Sequence, residues 1–380
     1  MNTPLLSISL EPRSRVGVSL LTRVLRVLHL DGWLLIGIGG VLVVSLLALY
    51  SAEGQQLKEL LDQVARVFVA FGAILFMAQI SPNWLRRASP LVYGLGLVLL
   101  ILVLATGDIG KGAQRWLDLG VRFQPSEIMK LGVPLTLCWL LHDRPLPPSF
   151  GVLLLVVLII FLPTAMIAVQ PDLGTAILIV LSGAVVIFLA GLGWRYMLAV
   201  AALVGAAMPA LWLVMHDYQR KRILTLLDPE SDPLGAGYHI IQSKIAIGSG
   251  GVFGKGWLNG TQGQLEFLPE RHTDFIFAVI GEEFGLLGSL ALLLLYLLIV
   301  GRGLYIASSA PDTFSRLLAG GLSITFFFYV FVNTAMVMGM IPVVGVPLPL
   351  VSAGGTSMVT LMAGFGILMS IQTHRKLVAR

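Results

Sequence analysis

Continuous apolar runs of about twenty residues recur along this sequence of 380 residues, and short segments rich in Lys and Arg separate them. Only 12% of the residues are charged, and the mean hydropathy is +0.90. Since a soluble domain carries about 25% charged residues, this composition excludes an ordinary water-soluble enzyme and also a disordered chain. The runs do not alternate between apolar and polar residues, so the sequence predicts membrane-spanning helices and not a β-barrel.

The apolar runs predict an all-α, polytopic membrane protein with ten transmembrane helices. Residues 31–372 form the ten-span membrane domain, between a tail of residues 1–30 and a tail of residues 373–380. The first tail is basic and has no clear cleavage site, so we expect an interfacial helix over about 14–30 and not a removed signal peptide. The predicted spans are 31–50, 64–80, 90–106, 126–141, 151–169, 173–193, 196–215, 275–301, 316–336 and 356–372.

The distribution of Lys and Arg predicts that both termini are cytoplasmic. With this orientation thirteen basic residues lie in the tails and inner loops, and four lie in short outer loops, as the positive-inside rule requires. The four outer residues are Lys58, Lys111, Arg115 and Arg122. The formal charge of +5 therefore indicates topology, and it does not indicate nucleic-acid binding.

Two outer loops are longer than simple connectors. Residues 107–125 join spans three and four, and residues 216–274 join spans seven and eight. Loops of such length are usually functional or disordered. The second loop contains Gly, Pro, paired charges and short apolar stretches, so we expect it to be ordered against the membrane surface.

Ionisable residues within a membrane span are candidates for function. Glu127 and Lys130 open span four and share one helix face. They form either a self-neutralising pair or a pair that shapes a substrate cavity. Asp172, in the motif QPDLGT between spans five and six, is explained by helix capping.

Charged residues crowd the junction of the long loop with span eight. A helix cap by Thr273 or Asp274 explains only one member of this group, and Glu282 and Glu283 follow about two turns deeper. No zinc spacing, P-loop or nucleophile elbow occurs, and the Gly-rich stretch GSGGVFGKG lacks the Walker pattern. The charged residues of the junction are Glu266, Glu270, Arg271, His272 and Asp274.

The segment after Asn333, GMIPVVGVPLPLVSAGGTS over 339–357, contains too many Pro and Gly residues for a regular helix. Non-helical backbone near a membrane is tolerated only when it packs against protein or lines a cavity. The sequence leaves open whether this segment is a gate or a packed re-entrant loop.

From about residue 31 onward the chain resembles the SEDS family (shape, elongation, division, sporulation). The motifs that carry the resemblance are GAQRWLDLG, QPSEIMK, QPDLGT, FLPERHTDFIF and PVVGVPLPLVSAGGTS. GKGWLNGTQ, FLPERHTDF and VVGVPLPL resemble the elongation branch more than the division branch. Ala353 departs from the family, whose members commonly carry Tyr at this position.

The resemblance implies a ten-span peptidoglycan glycosyltransferase of the bacterial inner membrane. It implies that the enzyme polymerises lipid II on the outer face during elongation and so maintains rod shape. The implied partners are a class B penicillin-binding transpeptidase, other membrane proteins of the rod complex, and membrane lipid. By the same resemblance Asp274 is the catalytic residue, and Glu127 and Lys130 belong to the substrate site.

Elementary chemistry supports this implication. A sugar hydroxyl is a poor nucleophile until a base removes its proton, and a carboxylate at the edge of a low-dielectric site has a raised pKa suited to that task. The polyprenyl diphosphate leaving group needs cationic side chains or a divalent cation such as Mg²⁺ or Mn²⁺. No resident cofactor is indicated, and the metal requirement stays open. The candidate cations are Arg115, Lys130, Lys244 and Arg271.

Two other functions compete with this one. A lipid II flippase or transporter fits the interrupted helices and intramembrane charges, although the charges gather on the outer side and not at the midplane. A non-enzymatic scaffold for a transpeptidase would have little need of Glu127, Lys130 and Asp274.

Overall fold

The computed structural model describes residues 20–110, 113–118, 122–215, 217–232, 235–265, 267–268 and 270–374. Most of these residues are helical, because apolar runs in a membrane must satisfy their backbone groups internally. The helices are α1 Leu20–Val27, α2 Gly32–Ala52, α3 Leu57–Gln79, α4 Pro82–Thr106, α5 Ser126–Leu141, α6 Phe150–Val169, α7 Leu173–Leu189, α8 Trp194–Val214, α9 Asp217–Leu227, α10 Ala236–Gly250, α11 Thr261–Gln264, α12 Ile276–Ser308, α13 Thr313–Val337 and α14 Thr356–Thr373.

Every predicted span coincides largely with one of the long helices. Seven helices among the described residues are long and apolar enough to cross a membrane, and α7 and part of α8 are shorter apolar helices. The prediction of a polytopic helical membrane protein is therefore confirmed. A helix is present in this segment as α1, and its position at the membrane interface stays a prediction. Residues 14–19 of that prediction and residues 375–380 of the C-terminal tail lie outside the described residues.

The structure differs from the all-α prediction in three short strands. The strands β1 Asp108–Gly110, β2 Ala113–Asp118 and β3 Arg122–Phe123 pair antiparallel in the order β1-β2-β3. They lie in the loop between α4 and α5, where the apolar run of α4 has ended.

The helices have two distinct ends, which we call the loop end and the tail end. The loop end carries the three strands, the described residues between 217 and 275, and the Pro/Gly-rich segment 338–355. At the tail end Asp31 caps α2 and binds Arg302 of α12, with 2.6 Å between Asp31 Oδ2 and Arg302 Nη2. His29 and His374 stack there with 4.2 Å between their ring centroids.

Helix α12 is broken at Gly285, whose φ of 65° and ψ of −160° are not helical. The predicted continuous span eight is therefore two helical pieces. The Gly-rich loop segment 250–256 docks in the break and supplies the missing partners. Leu286 N donates to Gly251 O at 3.0 Å, while Lys255 N donates to Glu282 O at 3.0 Å.

Close approach at this break requires glycine. Gly254 has a φ of 81°, and a methyl group built on it would lie 2.1 Å from Glu283 O. No L-residue fits without moving one backbone away from the other. The motif GSGGVFGKG thus serves backbone docking in this structure, in agreement with its lack of a Walker pattern.

We predict that Gly254→Ala lowers the stability of the folded protein by about 1–3 kcal/mol, because Ala is strained at positive φ and collides with Glu283 O. Thermal unfolding in detergent measures the effect. Gly248→Ala is the matched control, since a methyl group there has nothing within 4 Å. Equal unfolding temperatures for the two variants would contradict the docking role of Gly254.

Candidate active site at the loop end

Asp274 lies in the chain immediately before α12, at the loop end of the bundle. The N-cap of α12 is Phe275, which makes no side-chain cap hydrogen bond. Neither Thr273 nor Asp274 therefore occupies the N-cap position that the helix-cap interpretation gave them. Asp274 is half-buried, and its Oδ2 lies 3.6 Å from the position of a methyl group built on Gly345. The carboxylate thus faces the Pro/Gly-rich segment.

The backbone around Asp274 is fixed by residues that are distant in sequence. Asn333, which is fully buried in α13, donates through Nδ2 to Asp274 O at 2.8 Å and to Val346 O at 2.7 Å. Ser352 Oγ donates to Thr273 O at 2.5 Å. Ala353 N donates to His272 O at 2.8 Å. The segment 345–353 is therefore packed against the turn that presents Asp274 in this structure.

The remaining charges of this junction tie the turn to α2. Arg271 Nε donates to Ala52 O at 2.5 Å, and His272 Nδ1 lies 3.8 Å from Glu53 Oε1. Within the turn, Thr273 Oγ1 donates to Glu270 Oε2 at 2.7 Å. Glu266, the fifth predicted member of the group, lies outside the described residues.

His239 stands next to this turn, although the sequence reasoning did not single it out. Its ring stacks on that of Phe275 with 5.4 Å between centroids. Burial lowers the pKa of His239, and the nearby Glu270 opposes this shift. Only proximity in the fold identifies His239, because it lies in α10, far from α12 in the chain.

Glu127 and Lys130 form the ion pair that their spacing predicts. Lys130 Nζ donates to Glu127 Oε1 at 2.6 Å, and the two side chains are only 10% and 5% exposed, respectively. The ammonium group also lies 5.5 Å from the centroid of the Tyr329 ring. Glu127 Oε2 is buried and has no hydrogen-bond partner among the described residues. The pair therefore keeps one acceptor atom that a ligand could use.

Glu127 also borders a groove of about 890 Å³ between α3, α4, α5 and α14. The groove extends from Gln79 and Ser81 near the tail end to Phe123 and Glu127 at the loop end, and most of its lining is apolar. Such a groove, mostly apolar and charged at one end, suits a lipid with a polar head. This favours the cavity-shaping interpretation of Glu127 over simple self-neutralisation.

Arg115 is committed to the loop between α6 and α7. Its Nη2 donates to Pro171 O at 3.1 Å, and its Nη1 lies 3.8 Å from Asp172 Oδ1. Asp172 caps α7 by accepting from Thr175 N at 3.3 Å, as the motif QPDLGT predicts. Gln124 Nε2 adds a bond of 2.8 Å to Asp172 Oδ2.

Lys244 is exposed on α10, and its side chain folds over Gly339. A methyl group built on Gly339 would lie 2.9 Å from Lys244 Nζ. The four predicted cations thus have different surroundings. Arg115 and Arg271 bind backbone carbonyls, and Lys130 binds Glu127.

Glu282 and Glu283 fasten the long loop to the break in α12. Glu282 is fully buried, and it accepts from Lys255 Nζ at 2.7 Å and from Thr261 N at 2.8 Å. Glu283 accepts from Ser51 Oγ of α2. These carboxylates therefore act as internal acceptors for the loop.

Arg66 is a basic residue of the loop-end half that the sequence analysis missed. It stands in α3 inside the predicted span 64–80, and its Nη1 donates to Gln63 Oε1 at 3.4 Å. An arginine inside an apolar run is a signal that could have identified it.

No group of three or more His, Cys, Asp or Glu side chains that could hold a metal ion occurs within the described ranges.

These features define a class: a polytopic membrane protein with a lipid-sized groove and a set of ordered polar loops at one end. Residues 26–377 match the family model FtsW/RodA/SpoVE, described as cell cycle protein. The chain belongs to this family, which is the SEDS family that its motifs indicate.

The relatives include proteins of both branches. The chain is 55% identical to peptidoglycan glycosyltransferase MrdB of Escherichia coli (strain K12), over 93% of this chain and 96% of that one. It is 40% identical to the probable peptidoglycan glycosyltransferase FtsW of Trichlorobacter lovleyi, over 80% and 81% of the two chains.

Two solved structures are similar throughout. One chain comes from a peptidoglycan synthase complex studied for the coordination of polymerization and crosslinking. It is 32% identical, with a TM-score of 0.81 and coverage of 91% of this chain and 98% of that one. The other is the rod shape determining protein RodA of Thermus thermophilus, at 30% identity, a TM-score of 0.67 and coverage of 91% and 98%.

We predict strong coupling between Glu127 and Lys130. Replacing either residue by Ala leaves the other charge buried and unpaired, which lowers the free energy of unfolding by about 3–5 kcal/mol. The double variant then loses less than the sum of the single variants. Equilibrium unfolding in detergent measures the cycle.

The matched control is the exposed pair of Lys221 and Asp232, whose lysine side chain is 65% exposed. Lys221→Ala should change stability by about 0–1 kcal/mol because solvent screens this pair. Strictly additive losses at Glu127 and Lys130 would show that they do not act as a unit.

Proposed function

We propose that the chain is a peptidoglycan glycosyltransferase of the elongation machinery, which polymerises lipid II at the outer face of the bacterial inner membrane. The observation that carries this proposal is the half-buried Asp274, in a turn whose backbone carbonyls accept from Asn333 and Ser352. This turn lies at the end of the bundle where the lipid groove meets Glu127. The named activity of relatives at 55% identity supports it.

In the proposed reaction Asp274 is the general base. Its carboxylate takes the proton from the acceptor sugar hydroxyl as that oxygen attacks the anomeric carbon of the donor. The bond to the polyprenyl diphosphate breaks at the same time, and the electron pair leaves with the diphosphate. Direct displacement inverts the configuration, so an α-linked donor yields a β-linked strand.

The groove and the ion pair give the lipid a place in this scheme. The polyprenyl tail lies in the apolar groove between α3, α4, α5 and α14, while the head group reaches Glu127 and Lys130. Lys130 contributes positive charge near the diphosphate, and Glu127 orients Lys130 through the bond of 2.6 Å. Arg115, Lys244 and Arg271 are further proposed contacts to the head group or the growing strand.

We propose the membrane topology together with this function. The ten long helices span the membrane, both termini are cytoplasmic, and the long loop lies on the outer face. This is supported by the contacts that place residues 271–274, 338–355 and the three strands at one end and residues 29–31 and 373–374 at the other. The Lys/Arg distribution supports the orientation.

The proposed partner is a class B penicillin-binding transpeptidase, accompanied by other proteins of the rod complex. The similar chain at a TM-score of 0.81 belongs to a peptidoglycan synthase complex in which polymerization and crosslinking are coordinated. A polymerase that works beside a transpeptidase delivers the nascent strand directly to crosslinking.

We predict that Asp274→Asn removes most polymerisation while leaving the fold intact. Asn keeps the size of the side chain but cannot take up a proton near neutral pH, so the rate should fall by about 10²–10⁴-fold. Gel analysis of glycan strands made from lipid II measures the effect. Asp274→Glu retains activity only if the longer side chain still reaches the hydroxyl.

Asp312→Asn is the matched control, because Asp312 caps α13 at the tail end by accepting from Ser315 N at 2.9 Å. Asn caps almost as well as Asp, so this variant should polymerise at the wild-type rate. An Asp274→Asn protein as active as the control would refute the assignment of the base and leave Glu127 as the next carboxylate to test.

We also predict the location of two reporters. A reporter fused after Arg380 should be active only in the cytoplasm, and one inserted at the exposed Glu230 should be active only on the outer side. Reporters that agree on one side would contradict the ten-span arrangement.

A further inference from the structure

Arg66 is a positive charge in α3 without a carboxylate partner in the described part of the chain. Its hydrogen bond is to Gln63 Oε1, at 3.4 Å, which is a neutral acceptor. No other interaction of this guanidinium is present among the described residues. An arginine inside an apolar run is costly and marks a functional site by default. Arg66 therefore calls for an anion that the protein itself does not supply.

Gln63, next to Arg66, also has a polar group without a partner among the described residues. The residue is 2% exposed, and its Oε1 faces the guanidinium of Arg66. Its amide nitrogen, Nε2, is buried and has no acceptor in the described residues. Because a buried N–H group without a partner is unfavourable, this amide is a second donor that awaits an acceptor next to Arg66.

The start of α14 lies opposite these two residues. A methyl group built on Gly355, the N-cap of α14, would lie 4.0 Å from Arg66 Cδ. Gly355 has no side chain to cap this helix, and the first N–H groups of a helix carry the positive end of its dipole. A methyl group built on Gly354 would have no atom within 4 Å, and the neighbouring Ala353 has a small side chain.

The surroundings show what kind of anion fits. Below Arg66, α3 and α14 line the apolar groove with residues such as Met77 and Ile367. Above it, Ala353 binds the turn that presents Asp274 through the bond to His272 O. An anion at Arg66 would thus lie between a lipid-sized groove and the proposed catalytic carboxylate.

We propose that Arg66, the Gln63 amide and the start of α14 bind the diphosphate of a polyprenyl-linked sugar. The identity of this ligand rests on the proposed function, whereas the existence of an anion site at Arg66 does not. A diphosphate offers several acceptor oxygens, which matches three converging sets of donors. Arg66 then neutralises charge on the leaving group, which Arg115 and Arg271, bound to backbone carbonyls, are less free to do.

The test is binding of farnesyl diphosphate to the full chain in detergent, measured by isothermal titration calorimetry beside farnesyl monophosphate. The wild-type chain should bind the diphosphate more tightly than the monophosphate. Arg66→Gln should weaken diphosphate binding about tenfold or more, since it removes charged hydrogen bonds. Arg66→Lys should restore part of the affinity. Lys58→Gln, an equal change of charge at an exposed position on α3, is the matched control and should bind as the wild type does.

Gln63→Glu is a second variant that tests the site even if Arg66→Gln fails to fold. The new carboxylate would pair with Arg66 and keep the helix folded, yet it should abolish diphosphate binding by occupying the guanidinium. Equal affinity in the wild type, Arg66→Gln and Gln63→Glu would overturn the site. Competition by phosphatidylglycerol as strong as that by the diphosphate would overturn the choice of ligand.

The outcome separates this proposal from the proposed function. Asp274→Asn should bind farnesyl diphosphate normally, because it alters the base and not the anion site. If diphosphate binding depends on Arg66 but the wild-type chain makes no polymer, the anion site stands and the proposed function is rejected. If the chain polymerises lipid II but Arg66→Gln does not change its affinity for farnesyl diphosphate, the proposed function stands and the anion site at Arg66 is rejected.

Discussion

A backbone that cannot be helical near a membrane must find its hydrogen-bond partners within the protein, and this constraint shapes the loop end of the bundle. The Pro/Gly-rich segment 338–355 cannot form a helix, so its backbone is satisfied by side chains and by a neighbouring turn. Asn333 and Ser352 supply those bonds, and the turn that they hold is the one that presents Asp274. The same interactions that make the segment tolerable therefore position the proposed base.

The break in α12 follows the same principle. At Gly285 the helix leaves backbone groups unpaired, and the loop segment 250–256 pairs with them. Glu282 then accepts hydrogen bonds from the next part of the loop. The later part of the long loop is thereby fixed to α12 itself, and the chain continues from there into the turn before α12 that contains Asp274. A partner that moves this loop would act directly on the geometry of the site.

Several loop-end charges serve structure as well as chemistry. Arg115 and Arg271 hold loops through backbone carbonyls, Lys130 neutralises Glu127, and Lys255 binds Glu282. Charges with such partners cannot move to a ligand without loss. Arg66 differs because its bonded neighbour is a neutral amide. Arg66 therefore differs from the charges that hold the loops, which is why we propose it as an anion contact.

The sequence was sufficient for features that depend on local periodicity. Apolar runs located the long helices, the spacing of Glu127 and Lys130 predicted their contact, and QPDLGT predicted the cap by Asp172. The break at Gly285, the bonds of Asn333 and the stacking of His239 on Phe275 could not be predicted, because each joins residues far apart in the chain. Arg66 was missed for another reason, since it lies inside a predicted span and was counted in neither loop set.

Polymer formation from lipid II by three preparations tests the central claim, that this chain holds the polymerising site. The preparations are the purified chain, the chain co-purified with its transpeptidase, and the transpeptidase alone. The account predicts little polymer from the chain alone, more from the pair, and none from the transpeptidase. Polymer made by the transpeptidase alone, or none made by the pair, would contradict it.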